Sequence, residues 1–425
     1  MPDFGTDGIR GDISPEFAKS LGIAISRFGN QVVVGRDTRI SGQELEDALV
    51  EGLRYGANVQ RVGVVPTPAL SYFTTDMGVM ITASHNLMPD NGFKIFGRLG
   101  YKLNPAGQKR VQYFIGVPAV NAGGMEDTRL PGLLDHYIRR VSRVVRGLAG
   151  LKIVVDCANG ATHRAAPEVY ANAGAEVVAI NTTPDGWNIN QDCGSTNPRM
   201  LQEAVLTHRA DLGIAHDGDG DRVIMVDANG QIVDGDGLLA VLAVGMKERD
   251  VLTDDTIVVT RLSNSGLWTR LREDDIRVAV TDVGDHHVAE RLQRRGLALG
   301  GEPCGHIIIP KLFPSSDGIL TAMKVMSIMV ESGASLADLA HFDRIPQSHI
   351  NIPARKPSIA AQMAREAIDE IVEGVGKAGR IIVRESGTEP VVRVMVEHPT
   401  DADGLAHEVA THIEQAELRA QTLGV

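Results

Sequence analysis

Short runs of β-branched residues recur along this chain with helix-patterned stretches between them, and that alternation restricts the fold more than any other feature. Val32-Val33-Val34, Val62-Gly63-Val64-Val65 and Val79-Met80-Ile81 come first. Ile153-Val154-Val155, Val177-Val178-Ala179-Ile180 and Leu212-Gly213-Ile214-Ala215 follow, and Ile257-Val258-Val259 and Val278-Ala279-Val280 form a third set. Continuous apolar runs of this length suit strands buried on both faces, as in a parallel sheet covered by helices. Between two of them Leu45, Leu49 and Leu53 repeat at i, i+4, i+8, one face of a helix. The expected class is α/β, with mixed, mostly parallel sheets. Beyond about Ile345 the rhythm changes. Ala360–Val375 reads as one amphipathic helix, Ile381-Ile382-Val383 and Val391–Val396 as strands, and Leu405, Val409, Ile413 and Ala416 as the buried face of a last helix. That is a smaller α+β module.

Breaks fall at the basic stretch Arg139–Gly150, at the turn Asp234-Gly235-Asp236-Gly237, and at Pro346–Pro357. They divide the 425 residues into segments 1–144, 145–237, 238–345 and 346–425, each near the usual domain size of roughly 100–200 residues. With 42 Lys+Arg against 54 Asp+Glu the chain carries −12. That argues against coating nucleic acid or adhering to an anionic membrane, both of which need a basic face. Any anionic substrate must be met by local positive charge. Cys157, Cys193 and Cys304 form no C-x-x-C pair, which fits a reducing compartment rather than a disulfide framework or a thiolate zinc site. The N-terminus lacks a basic and then apolar leader. The longest apolar run, near Leu238–Val244, falls far short of the ~20 residues of a membrane span. A cytoplasmic protein is expected.

Four loops carry chemistry. Asp217-Gly218-Asp219-Gly220-Asp221-Arg222 follows the strand Leu212–Ala215. Glycines between the acids let alternate carboxylates converge, and three hard oxygen donors suit Mg²⁺. An EF-hand would need Gly where Arg222 stands and Glu where Ala228 stands, so that reading is rejected. An acidic surface turn is the plainer reading, but it explains one Asp-Gly pair better than three acids in register at a strand's carboxyl end. Thr82-Ala83-Ser84-His85-Asn86 reads as a strand-to-helix loop with an available hydroxyl; it lacks the G-x-S-x-G of an acyl-transfer elbow. Downstream, Asn91-Gly92 reads as a turn, and Lys94 either turns back on a charged group or is solvated. Arg384-Glu385-Ser386-Gly387-Thr388-Glu389-Pro390, with Arg393 beyond, can bind a phosphate through backbone amides, hydroxyls and guanidinium groups. A polar hairpin loop is the plain alternative. Gly301-Glu302-Pro303-Cys304-Gly305-His306 offers Glu302 and His306 to sugar hydroxyls, a weak signal alone. No G-x-x-x-x-G-K-[ST] and no dinucleotide glycine pattern occurs.

Taken in order, these loops resemble the α-D-phosphohexomutase superfamily, and within it the bacterial phosphoglucosamine mutase branch. The resemblance covers almost the whole chain and includes Gly5–Gly11, Gly35–Gly42, Asp156–Ala161, Cys193–Thr196 and Val394–Glu397 besides the four loops. It implies four domains around a central cleft, three related α/β domains and a smaller C-terminal α+β one. It implies a phosphoserine at Ser84, one Mg²⁺ per active site held by Asp217, Asp219, Asp221 and the Ser84 phosphate, and catalytic roles near the phosphoryl group for Arg10, His85, Lys94 and Arg222. Substrate binding falls to Glu302, Cys304 and His306, and to Arg384, Ser386, Gly387, Thr388 and Arg393. Two loops differ from the branch: Pro303-Cys304 stands where it reads Gln-Ser, and His286-His287 where it reads Arg-Tyr. A third departure is Leu87-Met88 before Pro89, where a proline commonly follows the asparagine directly.

The implied reaction interconverts glucosamine 6-phosphate and glucosamine 1-phosphate through a phosphoserine enzyme and a bisphosphorylated sugar, feeding UDP-N-acetylglucosamine and cell-wall precursors. A glucose or mannose phosphate mutase is the neighbouring alternative. A metal-dependent phosphatase using Asp217 or Asp219 leaves Ser84 and the Arg384 loop without work. A non-catalytic sugar-phosphate binder is the remaining option. The implied partner is a hexosamine phosphate, with no nucleic acid and no membrane. Oligomeric state is not legible in the sequence, and a homodimer stays open.

Overall fold

A computed structural model describes residues 4–5, 8–11, 13–120, 123–386 and 390–423. The chain forms two compact units, residues 1–261 with 271–341, and residues 262–270 with 342–425.

The larger unit holds three sheets. In the first, Met77–Ile81, Gln31–Arg36, Asn58–Val64 and Asp127–Arg129 run parallel. Asn91–Phe96, Gly8–Gly11 and Phe4–Gly5 continue it antiparallel beside Met77–Ile81. The second sheet has Leu212–His216, Lys152–Asp156 and Glu176–Ile180 in parallel, with Val223–Asp227 and Ile232–Val233 added antiparallel. The third places Thr256–Thr260 between Arg277–Thr281 and Gly300–Gly301, all parallel, with Ile307–Ile308 antiparallel at one edge. Each sheet is thus a parallel block extended by antiparallel strands. Central strands such as Met77–Ile81 and Leu212–His216 are buried along their whole length, which is why they read as continuous apolar runs; Val223–Asp227 is buried likewise, a strand absent from the sequence-based expectation.

Helices cover the sheets as the periodicity requires. Leu45, Leu49 and Leu53 lie on the buried face of Gly42–Leu53. The apolar run near Leu238 belongs to Gly235–Glu248, a helix buried from Gly235 through Ala243 and started by Asp234, whose side chain accepts the Gly237 amide at 3.1 Å. A helix apolar all round belongs inside a large core. Among the described residues no helix is long and apolar enough to cross a membrane.

The smaller unit is an antiparallel sheet of Gln347–Pro353, Val391–Glu397 and Arg380–Glu385. Its core joins Val392, Val394 and Val396 to Val409, Ile413 and Ala416 of the helix Ala402–Leu423. The single helix expected over Ala360–Val375 is two, Pro357–Met363 and Arg365–Val375, meeting at Ala364. Pro357, preset for a first helical turn, starts the first of them earlier than periodicity suggested.

Candidate active site

Antiparallel pairing of Leu212–His216 with Val223–Asp227 closes at His216 opposite Val223, so Asp217–Arg222 forms the hairpin loop between them. Asp217, Asp219 and Asp221 are all buried, and each offers a carboxylate oxygen within 4.8 Å of the others. Asp217 Oδ1 accepts the amides of Gly220 at 3.1 Å and Arg222 at 3.2 Å, which fixes the loop. Burial, and then the charges of Asp219 and Asp221, push the Asp217 carboxyl well above its ordinary range. Lys94 is buried too, and its Nζ lies 2.8 Å from Asp219 Oδ2 and 2.6 Å from Asp221 Oδ2. Thr67 donates its hydroxyl to Asp219 Oδ2 at 2.5 Å. Asp219 Oδ1 is buried with no hydrogen-bond partner among the described residues, an arrangement that costs about 1–3 kcal/mol unless something fills it. Three converging carboxylates and a vacant buried oxygen fit a hard divalent cation.

Ser84 faces this triad. Its hydroxyl donates to Asp217 Oδ2 at 2.6 Å. The loop that carries it does not lead into a helix, as the sequence suggested. It joins the neighbouring antiparallel strands Met77–Ile81 and Asn91–Phe96. Nor is Asn91-Gly92 a turn: both residues lie in the strand, paired with Gly11 and Arg10. Ser84 sits at φ +52°, a conformation that costs an ordinary residue roughly 1–2 kcal/mol. The surroundings enforce it. Arg39, fully buried, spends all five N–H donors here. Nε goes to Asp37 Oδ2 at 3.0 Å, Nη1 to the carbonyls of Leu87 and Asp90 at 3.0 and 2.9 Å, and Nη2 to those of Ser84 and Asn86 at 3.2 and 2.6 Å. Thr82 Oγ1 links Asp37 to the Ser84 amide. From the second sheet's side, Asn190 Nδ2 donates to the carbonyls of Ser84 and Asn86, each at 2.9 Å.

The two loops meet backbone to backbone. A Cβ on Gly218 would lie 2.6 Å from the Ser84 carbonyl oxygen and 2.8 Å from Asn190 Nδ2, so only glycine permits the approach. The Ala161 amide donates to the Gly218 carbonyl at 2.7 Å, which gives the Asp156–Ala161 stretch its place behind the aspartate loop. Arg10 reaches Asn86 Oδ1 at 3.3 Å. His85 is half-buried on the Ser84 loop, and Arg222 half-buried at the end of the aspartate loop.

The Glu302–His306 loop packs against the same hairpin: the Val223 amide donates to the Gly305 carbonyl at 3.1 Å. His306 Nε2 lies 3.9 Å from Asp221 Oδ2 and 3.5 Å from Asp285 Oδ2, and Asp285 also pairs with Lys102. Glu302 accepts the Gly284 amide at 3.2 Å, and burial followed by the charge of Asp285 raises its carboxyl to about 7. Cys304 is exposed as a residue although its thiol is pushed up to about 12 by burial, and Cys157 and Cys193 are buried; all three are free.

In the smaller unit, Arg384 and Arg393 are directly paired across adjacent strands. Like charges so placed repel, and an anion bound between them would relieve this. Ser386 donates its amide to the Val391 carbonyl at 2.9 Å. Gly387 and Thr388 lie outside the described residues.

The structure therefore gathers Ser84, Lys94, Asp217, Asp219 and Asp221, with Arg10 bonded to Asn86, two residues beyond Ser84 on the same loop. Sequence reasoning gave no role to Arg39, Asp37, Thr67 or Asn190. The only signal for the first two was the Gly35–Gly42 motif, rich in charge and directly after a buried strand.

Four family models match the chain in order. They are phosphoglucomutase/phosphomannomutase alpha/beta/alpha domain I over residues 1–115, domain II over 134–230, domain III over 234–345, and the C-terminal domain over 350–414. A phosphoglucosamine mutase of Mycobacterium ulcerans (strain Agy99) is 45% identical over 438 residues, spanning 97% of this chain and 98% of that protein. Among solved structures, a phosphoglucomutase/phosphomannomutase family protein from Burkholderia thailandensis matches with a TM-score of 0.81 at 25% identity, over 98% of this chain and 97% of that one. An N-acetylphosphoglucosamine mutase of Aspergillus fumigatus, solved with GlcNAc-6P and magnesium, shares the fold at a TM-score of 0.69 and 18% identity, over 98% and 96% of the two chains.

Proposed function

The chain belongs to the phosphoglucomutase/phosphomannomutase family, and from that premise we propose that it interconverts glucosamine 6-phosphate and glucosamine 1-phosphate through a phosphorylated Ser84. The observation that carries this reading is the Ser84 hydroxyl hydrogen-bonded to a buried carboxylate triad. A phosphoryl group on Ser84 Oγ would enter a site already built for a cation, and Mg²⁺ is the ion proposed for Asp217, Asp219 and Asp221. When bound, that ion neutralises phosphate charge as the phosphoryl group transfers.

The rest of the work falls to the chain's own groups. Arg39 and Asn190 hold the Ser84 loop, so that the oxygen that gains and loses the phosphoryl group stays in register with the aspartates. The transfer breaks the P–Oγ bond of phospho-Ser84, forms a P–O bond to a sugar hydroxyl, and leaves Ser84 Oγ to take up a proton as the free hydroxyl. The resulting bisphosphate returns its other phosphoryl group to Oγ. The attacking hydroxyl's proton must leave, and His85 and Lys94 are the two groups placed to take it. Lys94, with its Nζ between the carboxylates of Asp219 and Asp221, is suited to charge stabilisation, which leaves the proton to His85. A His85→Gln variant that keeps the parent's acid limb in its pH–rate profile would contradict this. Arg222 and Arg10 supply further positive charge. Glu302 and His306 are assigned to sugar hydroxyls, with Cys304 beside them. The loop of Arg384, Ser386, Gly387, Thr388 and Arg393 is assigned to the phosphate not in transfer. A cytoplasmic location and a role in supplying UDP-N-acetylglucosamine for cell-wall precursors complete the proposal.

A coupled mutase assay across glucosamine, N-acetylglucosamine, glucose and mannose 6-phosphates tests it. The highest kcat/KM is expected for glucosamine 6-phosphate. A higher value for glucose or mannose would move the chain to the neighbouring activity, a shift that Pro303 and Cys304 would explain. Intact-mass analysis should find one phosphate in the active enzyme and none in Ser84→Ala, which should not turn over.

A further inference from the structure

The segment Pro314–Asp317 belongs to neither the aspartate loop nor the Glu302–His306 loop, yet it joins them. Ser316 is completely buried. Its hydroxyl donates to the Asp221 backbone carbonyl at 2.5 Å and accepts the Ile307 amide at 3.0 Å. A second link lies on the other side of His306, where the Val223 amide donates to the Gly305 carbonyl. His306 is therefore held between two bridges, and both end on the backbone of the metal hairpin, at Asp221 and Val223. The contact is tight: Gly305 has φ +85°, and a Cβ there would lie 1.8 Å from the Val223 carbonyl oxygen. The Glu302 amide donates to the His306 carbonyl at 3.1 Å, so the position of this strand edge sets Glu302 as well.

Ser316 has a firm mount. Next to it Asp317 accepts the Leu320 amide at 2.9 Å at the start of the helix Gly318–Ser332, and both its oxygens accept the buried Tyr137 hydroxyl, at 3.0 and 2.9 Å. The Gly318 amide donates to the Gly220 carbonyl at 3.1 Å, and Ser315 Oγ meets Ser71 Oγ at 2.9 Å. The segment that carries the bridging hydroxyl is thus fixed to the helix Thr67–Phe73, to the Asp217–Arg222 hairpin loop and to the strand Ile307–Ile308.

We propose that Ser316 is a positioning residue that holds the cation-binding Asp221 and the sugar-binding His306 in one geometry, so that cation affinity and sugar affinity rise and fall together. The roles of Asp221 and His306 rest on the mutase reading given above. A hydroxyl is the group the position demands, since it must donate to a carbonyl and accept from an amide at once. Alanine leaves both backbone groups buried without that partner. Threonine keeps the hydroxyl.

The test uses full-length protein freed of metal. Mn²⁺ binding is followed by the loss of the free-ion electron paramagnetic resonance signal, without sugar present, and KM for glucosamine 6-phosphate is measured separately. Ser316→Ala is expected to raise both the Mn²⁺ Kd and KM by about 10–100-fold, the range for losing a group that orients a ligand, and Ser316→Thr to restore both. Ser316→Cys, which keeps shape but bonds weakly, serves the same comparison if the alanine variant does not fold. A lowered melting temperature with unchanged Mn²⁺ Kd would overturn the proposal, as would a changed Kd with unchanged KM. If the parent turns over none of the four sugar phosphates, the mutase reading fails. The Mn²⁺ arm then still decides whether Ser316 orients Asp221.

Discussion

Replacing Arg39 with lysine keeps a buried cation beside Asp37 but removes the fork that holds the Ser84 loop. The guanidinium makes five hydrogen bonds, one to Asp37 and four to the carbonyls of residues 84, 86, 87 and 90. An ammonium has three N–H groups. With one committed to Asp37, two remain for four carbonyls. The carbonyls of Ser84 and Asn86 keep Asn190, so the loss falls mainly on Leu87 and Asp90. Bonds to a charged donor contribute about 1.5–3 kcal/mol each when buried. Partial exposure at this end of the loop puts the local cost of Arg39→Lys at about 2–4 kcal/mol. Ser84 has a positive φ that these contacts help to enforce, so the loosened loop should relax toward ordinary backbone and carry Oγ away from Asp217. Displacement of a reacting atom by about 1 Å costs on the order of 100-fold in rate. The expected result is a kcat roughly 100-fold lower, KM nearly unchanged, and faster amide exchange in the peptide covering residues 82–92. A variant with parental exchange in that peptide and kcat within threefold of the parent would refute the reasoning.

Gly218→Ala places a Cβ where 2.6 Å separates it from the Ser84 carbonyl. It should part the two loops and lower kcat at least as far as Arg39→Lys, with intact-mass analysis showing slower phosphorylation of Ser84. Asp217→Asn imitates the protonated state that burial and the neighbouring carboxylates already favour, so the metal-free variant should melt within a degree or two of the parent. Added Mn²⁺ at 100 times its Kd should stabilise the parent by about 2.7 kcal/mol and the variant hardly at all. Asp317 is buried, and burial raises its carboxyl to about 6 from an ordinary 3.8. The native state keeps its proton above pH 3.8 where the unfolded chain has lost it. Stability from this group is therefore complete below pH 3.8 and is lost as pH rises through about 6, a change of about 3 kcal/mol. Asp317→Asn should flatten that slope in thermal melts between pH 4 and 7; an unchanged slope would assign it to other groups.

The parts of the site that could be read from the sequence are those whose chemistry lies in consecutive residues. Asp217, Asp219 and Asp221 converge because glycines separate them within one hairpin loop, and that pattern is local. The central strands were legible for a similar reason, since burial on both faces writes itself as an unbroken apolar run, whereas Glu176–Ile180 and Arg277–Thr281 show the same run at part-exposed sheet edges. Ser84 was found as a hydroxyl on a loop after a strand, but the shape of that loop was misread. Asn91-Gly92 carries the composition of a turn, and only the pairing of Gly11 and Arg10 with those residues makes them strand. Tertiary pairing overrode local preference there.

What stayed hidden depends on backbone atoms or on register. Arg39 acts almost entirely on carbonyl oxygens, which every residue has, so no residue type at positions 84 to 90 announces it. Lys94 and Asp221 are 127 positions apart, and nothing in either neighbourhood points to the other. The opposition of Arg384 and Arg393 follows from the register of two strands whose connecting loop reads as a polar hairpin. In each case a charged side chain was visible and its partner was not. This explains why the formal charge of −12 said so little about substrate. Around Ser84 and the triad the charges are buried, and the local balance there is decided by contacts such as Lys94 with Asp219 and Asp221, which composition cannot express.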